Sequence, residues 1–585
     1  MTATTANPSL RDQVDLTARM TAVKAAEAAA HQNLVSRYTR NVQKPTKEQQ
    51  DAIDGLAATL KTPDAMAMLV GDAGTGKTWT LTRAAERSRL RMIDKNELRS
   101  NQGKQQPMTA SYAEAFAKAY PGEPCGDTVF VSKESGLVVA TPTHKAAAVL
   151  KRKSARQLLP VTLASLTRVG QNVTPLGKSI WKWLAAGMPG EPPCLIPGSV
   201  WRNPGEGRPV IATLLKGMGP LEVAEHLLCI PHDRLYAYTG RLYLPDAALI
   251  VDEGSMVQGT MLPLLFAMFG RGVVIAGDTK QLPPVITKDS PDGWWYTSIL
   301  DRAEACDVPT FRLTQIMRQS DKAATILFEN ARALYDENVL SLPEAPPAIV
   351  HAKGLTPQEL HEGLAPEAGA DARVFTPIIC AQRKTVVKTN RHLMAALGFT
   401  GLAPGLPVIA ESSGGKMSDR MLVDIARLLD DPESGFAGAA VAQYSTVHTN
   451  TLWRVMAVAK IGRDTVARLR SLDESDGSDV IQFVRLKGAS AGLGREITVG
   501  FASTAHAMQG DEAPIALLNS ESFCGARLLD ASAQRSWVYV ALTRGRYAAA
   551  SVSELHHDGK AHHLGCMHGE LAHLPDEALG HRPKY

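Results

Sequence analysis

The sequence predicts an α/β protein built from two parallel-sheet halves, each interrupted by an insertion. Three observations predict it. First, short apolar runs end in Gly or Asp and lead into helix-compatible stretches: Met66–Val70, Leu137–Ala140, Ala247–Val251, Val273–Ala276, Val374–Phe375 and Val538–Leu542. Strands covered on both faces of a parallel sheet read this way, and the loops at their carboxyl ends carry the chemistry. Second, the rhythm breaks twice, over the Pro-, Gly- and Trp-rich residues 166–246 and over residues 401–495, where Gly/Ser clusters flank β-type alternation at Trp453–Val458. Third, 585 residues give room for roughly four domains at about 150 residues each.

In chain order, residues 1–40 read as an Ala-rich helical extension, with Leu16, Met20, Val23 and Ala26 at helix spacing. Residues 41–165 and 247–345 form the first half, with 166–246 inserted. The three prolines of Ser341–Ala348 suit a linker. Residues 346–400 and 496–555 form the second half, with 401–495 inserted as a small β-barrel-like unit. Residues 556–585 form a tail. Its histidines (556, 557, 562, 563, 568, 573) and Cys566 show no tetrahedral ligand spacing, so the expectation is a solvated segment without zinc.

Composition excludes several classes. Lys and Arg number 63 against 59 Asp and Glu, a net charge of +4, which rules out a histone-like polybasic binder while allowing a local basic groove. Seven cysteines with no CxxC spacing point to reduced thiols. The longest apolar run, Met261 to Phe269, falls short of the ~18 residues of a membrane span. Arg11, Asp12 and Asp15 stand where a secretory signal needs apolar residues. The expectation is a soluble cytoplasmic protein with no membrane partner.

The strongest chemical signal is Gly71-Asp72-Ala73-Gly74-Thr75-Gly76-Lys77-Thr78, a G-x-x-x-x-G-K-[ST] sequence directly after an apolar strand. Its glycines let backbone N–H groups face phosphate oxygens, Lys77 reaches the β/γ-phosphates, and the Thr78 hydroxyl ligates Mg²⁺. Asp252-Glu253 end the next strand signal: Asp252 can hold Mg²⁺ and its water, and Glu253 can deprotonate the attacking water. Gln281 lies in the turn after Val273–Ala276, where its carboxamide can sense the γ-phosphate and Pro283 and Pro284 stiffen the loop.

These segments resemble the motifs of superfamily 1 helicases, within them the RecD/Dda-like branch (superfamily 1B), from about Thr46 to Arg546. Thr46–Ala52 is similar to the adenine-recognising motif, with Gln49 its key residue, and Gly71–Thr78 to motif I. Ala140–Ala146 resembles motif Ia, and Thr162–Leu166 the following DNA-contacting motif. Asp252–Ser255, Gly277–Val285, Leu313–Gln319, Ala502–Glu512 and Val538–Arg546 resemble motifs II to VI. The chain departs from the pattern at Gly254, where Ala is commoner, and at Ala507-Met508, where Lys-Ser is frequent.

The resemblance implies two RecA-like P-loop NTPase domains and an ATP- and Mg²⁺-dependent monomeric motor moving 5′→3′ on single-stranded DNA, unwinding forked duplexes in replication, repair or recombination. It makes Arg318 and Arg544 the candidates for charge at the γ-phosphate. It points to Thr141, Thr143, His144 and Lys145 from the first half, and Thr504, His506 and Gln509 from the second, as the grip on the nucleic-acid backbone. Asn390 reads as structural. Residues 234–244 read as two short strands around Thr239-Gly240, a candidate strand-separating pin within the first insertion. Two alternatives stay open: an RNA-directed superfamily 1 helicase, and an ATP-switched single-strand binder that displaces proteins without unwinding.

Overall fold

The computed structural model describes residues 44–94, 97–98, 104–122, 125–154, 157–167, 171–173, 176, 179, 182, 236–238, 241–284, 297–317, 322–337, 345, 348–352, 354–364, 373–411, 419–441, 447, 449–461, 464–472, 479–484, 497–520, 522, 531–557 and 560–564. The expected extension over 1–40 and most of the first insertion lie outside these residues.

Six strands form the first sheet, in the order Thr310–Leu313, Met66–Gly71, Val273–Gly277, Ala247–Val251, Gly136–Thr141, Val161–Thr162, every pair parallel. The strand period of two sorts side chains onto opposite faces. Leu69, Ile250 and Val274 pack with Leu56 and Leu60 of helix Lys47–Lys61 and Leu81 of helix Lys77–Ser88. Val70, Leu249 and Ile275 pack on the other face with Leu262 and Leu265 of helix Met261–Met268. Coverage of both faces is the reason these strands carry continuous apolar runs, and each fully buried Leu contributes about 1.5–3 kcal/mol.

The second half repeats the plan with five parallel strands, in the order Ile349–His351, Gly545–Ser551, Ala513–Leu518, Ile378–Cys380, Ala502–Thr504. Asn390 on helix Arg383–Ala396 donates to Val499 O and Ala502 O and accepts from Ala502 N, tying that helix to the sheet edge.

Several expectations need correction. Val538–Leu542 is not a strand: it ends helix Ala531–Leu542, and the strand follows at Gly545. A short apolar run buried on all sides fits either element, and periodicity cannot separate them. Val374–Phe375 is likewise no strand; Phe375 makes one bridge, to Ile515, and the strand starts at Ile378. Helix Lys322–Asp336 carries Leu327, Ala331 and Leu334 into the core of the second half beside Val540 and Leu542, so the first half ends well before 345. Of the expected linker only Ala345 and Ala348 are described, and Ala348 is buried.

The second insertion is a six-stranded sheet, in the order Ala440–Val441, Asp479–Val484, Asp464–Ser471, Leu452–Ile461, Pro407–Ala410, Ile497–Val499. It is open among the described residues rather than a closed barrel, and its last strand lies beyond the expected end at 495. The turn of the candidate pin, Thr239-Gly240, lies outside the described residues, and its two described strands do not pair with each other. Tyr236–Tyr238 pairs antiparallel with Gln171–Val173, while Arg241–Tyr243 pairs parallel with Thr128–Val131. Burial decides the second pairing: Leu242 is 1% exposed, the Arg241 guanidinium lies 3.9 Å from the Phe116 ring centroid, and Tyr112 donates its hydroxyl to Leu242 O. Residues 241–246 therefore belong to the first half. The expected tail also begins as structure, with Glu554–His557 paired antiparallel to Lys560–His563 and Leu555 and Leu564 buried. No metal-ligand cluster occurs among the described residues.

Candidate active site

The nucleotide loop follows strand Met66–Gly71 of the first sheet and opens helix Lys77–Ser88. Gly74 and Gly76 hold φ of +83° and +88°, and only glycine adopts these without strain. A Cβ at Gly76 would also come within 2.8 Å of Gln49 Nε2. Gln49 donates from Nε2 to Thr75 O at 3.3 Å, and its Oε1 accepts Thr46 N while Thr46 Oγ1 accepts Gln49 N, a capping box. Gln49 thus braces the loop from behind and is 3% exposed, rather than lining the cleft. Lys77 Nζ donates to Gly71 O at 2.6 Å and Asp72 O at 3.1 Å, carbonyls that hold its ammonium at the mouth of the loop. The Asp72 side chain points away from the cleft, toward Arg332 and Lys280.

A cleft of about 310 Å³ lies between the halves over this loop. Lys77, Thr78, Asp252, Glu253 and Gln281 line it from the first half, and Arg544 from the second. Asp252 Oδ1 accepts Glu253 N, and burial together with the Glu253 charge raises the Asp252 pKa, with Lys77 acting in the opposite sense. Glu253 holds a left-handed φ of +56°, a conformation that costs a non-glycine residue about 1–3 kcal/mol and clusters at functional sites. Gly254 follows because a Cβ there would sit 3.0 Å from Ile275 Cγ2 and 3.1 Å from Ala276 O, so the departure from Ala has a packing reason. Gln281 is 7% exposed, and its Oε1 has no partner among the described residues, as suits a carboxamide that a ligand completes.

Arg544 is 7% exposed; its Nε donates to Val540 O at 3.1 Å and its Nη1 to Asp511 O at 3.3 Å. Met317 N donates to Gly74 O at 2.9 Å, so the chain reaches the loop one residue before Arg318, which lies outside the described residues. Thr78, Asp252 and Glu253 offer only hard oxygen donors, which fit Mg²⁺ bound by one or two protein ligands plus phosphate oxygens.

The residues named for nucleic acid have other surroundings. Lys145 is 3% exposed: its Nζ pairs with Asp511 Oδ2 at 3.2 Å and donates to Asn450 O at 3.1 Å, joining the first half to the second half and to the inserted sheet. Arg373 holds the other oxygen of Asp511, and these two cations keep the Asp511 carboxyl ionised far below the usual range against the cost of burial. Thr141 is fully buried and donates to Thr143 O, while Thr143 Oγ1 accepts Ala146 N. Thr504 Oγ1 accepts Ala507 N. His506 accepts the Trp537 indole N–H on Nδ1 at 3.4 Å, and burial pushes its pKa down to about 4, so it is neutral near pH 7. Gln509 is 5% exposed, its Nε2 without a partner among the described residues. His144 is exposed at the start of helix His144–Lys153.

Sequence reasoning passed over Asp278, Tyr539, Asp511 and Arg373. Asp278, Asp511 and Tyr539 stand inside quoted motifs, but nothing local signals their distant partners.

A phosphate loop, an acidic strand end and an arginine from a second α/β half define a P-loop ATPase. Residues 44–333 match the AAA domain family, and this match with the order of the motifs bears out the superfamily 1 resemblance. No curated protein matches the chain. Among solved structures, it is similar to one described as two coordinating Pif1 helicases unwinding forked double-stranded DNA (16% identity, TM-score 0.39, covering 87% of this chain and 92% of that one). It is also similar to Pif1 helicase from Candida albicans (12%, 0.36, 87% and 95%) and to Pif1 from Bacteroides with ADP-AlF3 and single-stranded DNA (16%, 0.37, 87% and 93%).

Proposed function

We propose that the protein is an ATP- and Mg²⁺-dependent DNA helicase, a cytoplasmic monomeric motor that translocates 5′→3′ on single-stranded DNA and opens forked duplexes. The observation that carries the reading is the shared cleft: Lys77, Glu253 and Gln281 face it from one half and Arg544 from the other. A nucleotide bound there touches both halves, so ATP draws them together and hydrolysis releases them. Lys77 and the loop amides hold the phosphates, Glu253 accepts the proton of the attacking water, and Gln281 and Arg544 meet the γ-phosphate. Thr78 and Asp252 would hold Mg²⁺, which would supply positive charge to offset that of the phosphates. Polarity and the choice of DNA rest on the motif resemblance alone.

Strand displacement on duplexes with a 5′ or a 3′ tail tests it. The expected outcome is ATP-dependent displacement from the 5′ tail only. Displacement from the 3′ tail reverses the polarity. DNA-stimulated ATPase without displacement favours the remodeller, and stimulation by RNA but not DNA favours the RNA-directed alternative.

A further inference from the structure

The phenol of Tyr539 stands where the two halves meet. Ala73 N donates to its Oη at 2.8 Å, and the hydroxyl donates to Asp278 Oδ2 at 2.8 Å. Both partners belong to the first half: Ala73 lines the cleft, and Asp278 follows strand Val273–Gly277. Tyr539 is 2% exposed and Asp278 fully buried, so water does not compete for the bond between them, which acts at low local dielectric. Burial and the nearby carboxylates of Asp278 and Asp72 keep the phenol protonated, as its donor role requires. Tyr335 meets its ring edge-on, with centroids 5.8 Å apart. Five residues further on, Arg544 is fastened to the same helix through Val540 O.

We propose that Tyr539 is a positioning residue for ATP hydrolysis: its hydroxyl locks helix Ala531–Leu542 to the nucleotide loop and so sets where Arg544 stands opposite Lys77. The inference rests on the reading that this cleft hydrolyses ATP. A hydrogen-bonded lock of one atom on two partners is what such a task needs, because a misplacement of about 1 Å at a reacting centre can cost about 10²-fold in rate. Removing the hydroxyl leaves the buried Asp278 carboxylate and the half-buried Ala73 N–H without this partner, so the helix end loses its register without losing its apolar packing.

Tyr539→Phe is therefore expected to lower the DNA-stimulated kcat by about tenfold or more while the KM for ATP changes little. Active-site titration with a fluorescent ATP analogue corrects for any misfolded fraction. In an Arg544→Ala background the same substitution should cost nothing further, because Tyr539 acts through Arg544. Hydrogen exchange, measured without nucleotide, should be faster at the Ala73 amide in Tyr539→Phe than in the wild type. An unchanged kcat, an equal fold-loss in both backgrounds, or unchanged exchange at Ala73 would each overturn the proposal. Wild-type protein that hydrolyses no ATP would instead overturn the function proposed above, and the exchange measurement would still decide whether the lock exists.

Discussion

The nucleotide loop and the proposed nucleic-acid grip carry similar residue types, yet the fold treats them differently. Lys77, Glu253, Gln281 and Arg544 face an open cleft. Lys145, Thr141 and Gln509 are buried, Lys145 between the halves, and His506 is held neutral by burial. The difference is one of range. A phosphate loop is built by consecutive backbone positions, so its function survives wherever the strand and helix survive. A grip on a backbone phosphate depends on what the rest of the chain places around each side chain, and here Asp511 reaches Lys145 first.

The largest expected effect comes from Arg544→Ala, which should lower ATP turnover about 10³–10⁵-fold with nucleotide still bound, read by steady-state ATPase and nucleotide titration. Glu253→Gln keeps the volume but cannot take a proton; turnover should fall about 10²–10⁴-fold with ATP binding intact, and turnover near the wild-type rate would remove Glu253 as the base.

The next test concerns His506. Its folded pKa of about 4 lies below the unfolded value of about 6.5, so between those values the unfolded chain binds more protons and stability falls as pH drops. Denaturant melts at pH 7 and 4.5 should show His506→Asn sparing about 2–3 kcal/mol of the wild-type loss. A DNA affinity that tracks titration of His506 near pH 6.5 would return it to the grip. Lys145→Met should cost about 1–3 kcal/mol of stability, since among the described residues Asp511 then keeps only Arg373 as a close cation, and should leave the salt dependence of single-strand binding unchanged. A drop of about 0.7 in the slope of log affinity against log salt would instead mark a lost phosphate contact.

Much of the fold was legible because parallel strands buried on both faces declare themselves as apolar runs. The same signal misled at Val538–Leu542, where a helix end wedged between sheet and partner half is apolar all round. Around Thr239-Gly240 the turn chemistry favours a hairpin, but the second strand pairs where Leu242 is buried, in the first half. The cleft was legible down to single residues of the loop. Tyr539 was not, because its role depends on Ala73 and Asp278, which the chain brings to it from 466 and 261 residues away.

The ribbon between Gln171–Val173 and Tyr236–Tyr238 has one further consequence. Because these strands lie side by side, residues 174–235 depart from the chain and rejoin it at nearly the same place. A segment with adjacent ends pulls on nothing outside itself, and doubling its length adds only about 0.6 kcal/mol of closure entropy. The ribbon thus acts as a socket: a change of length between Val173 and Tyr236 leaves both ends paired where they are.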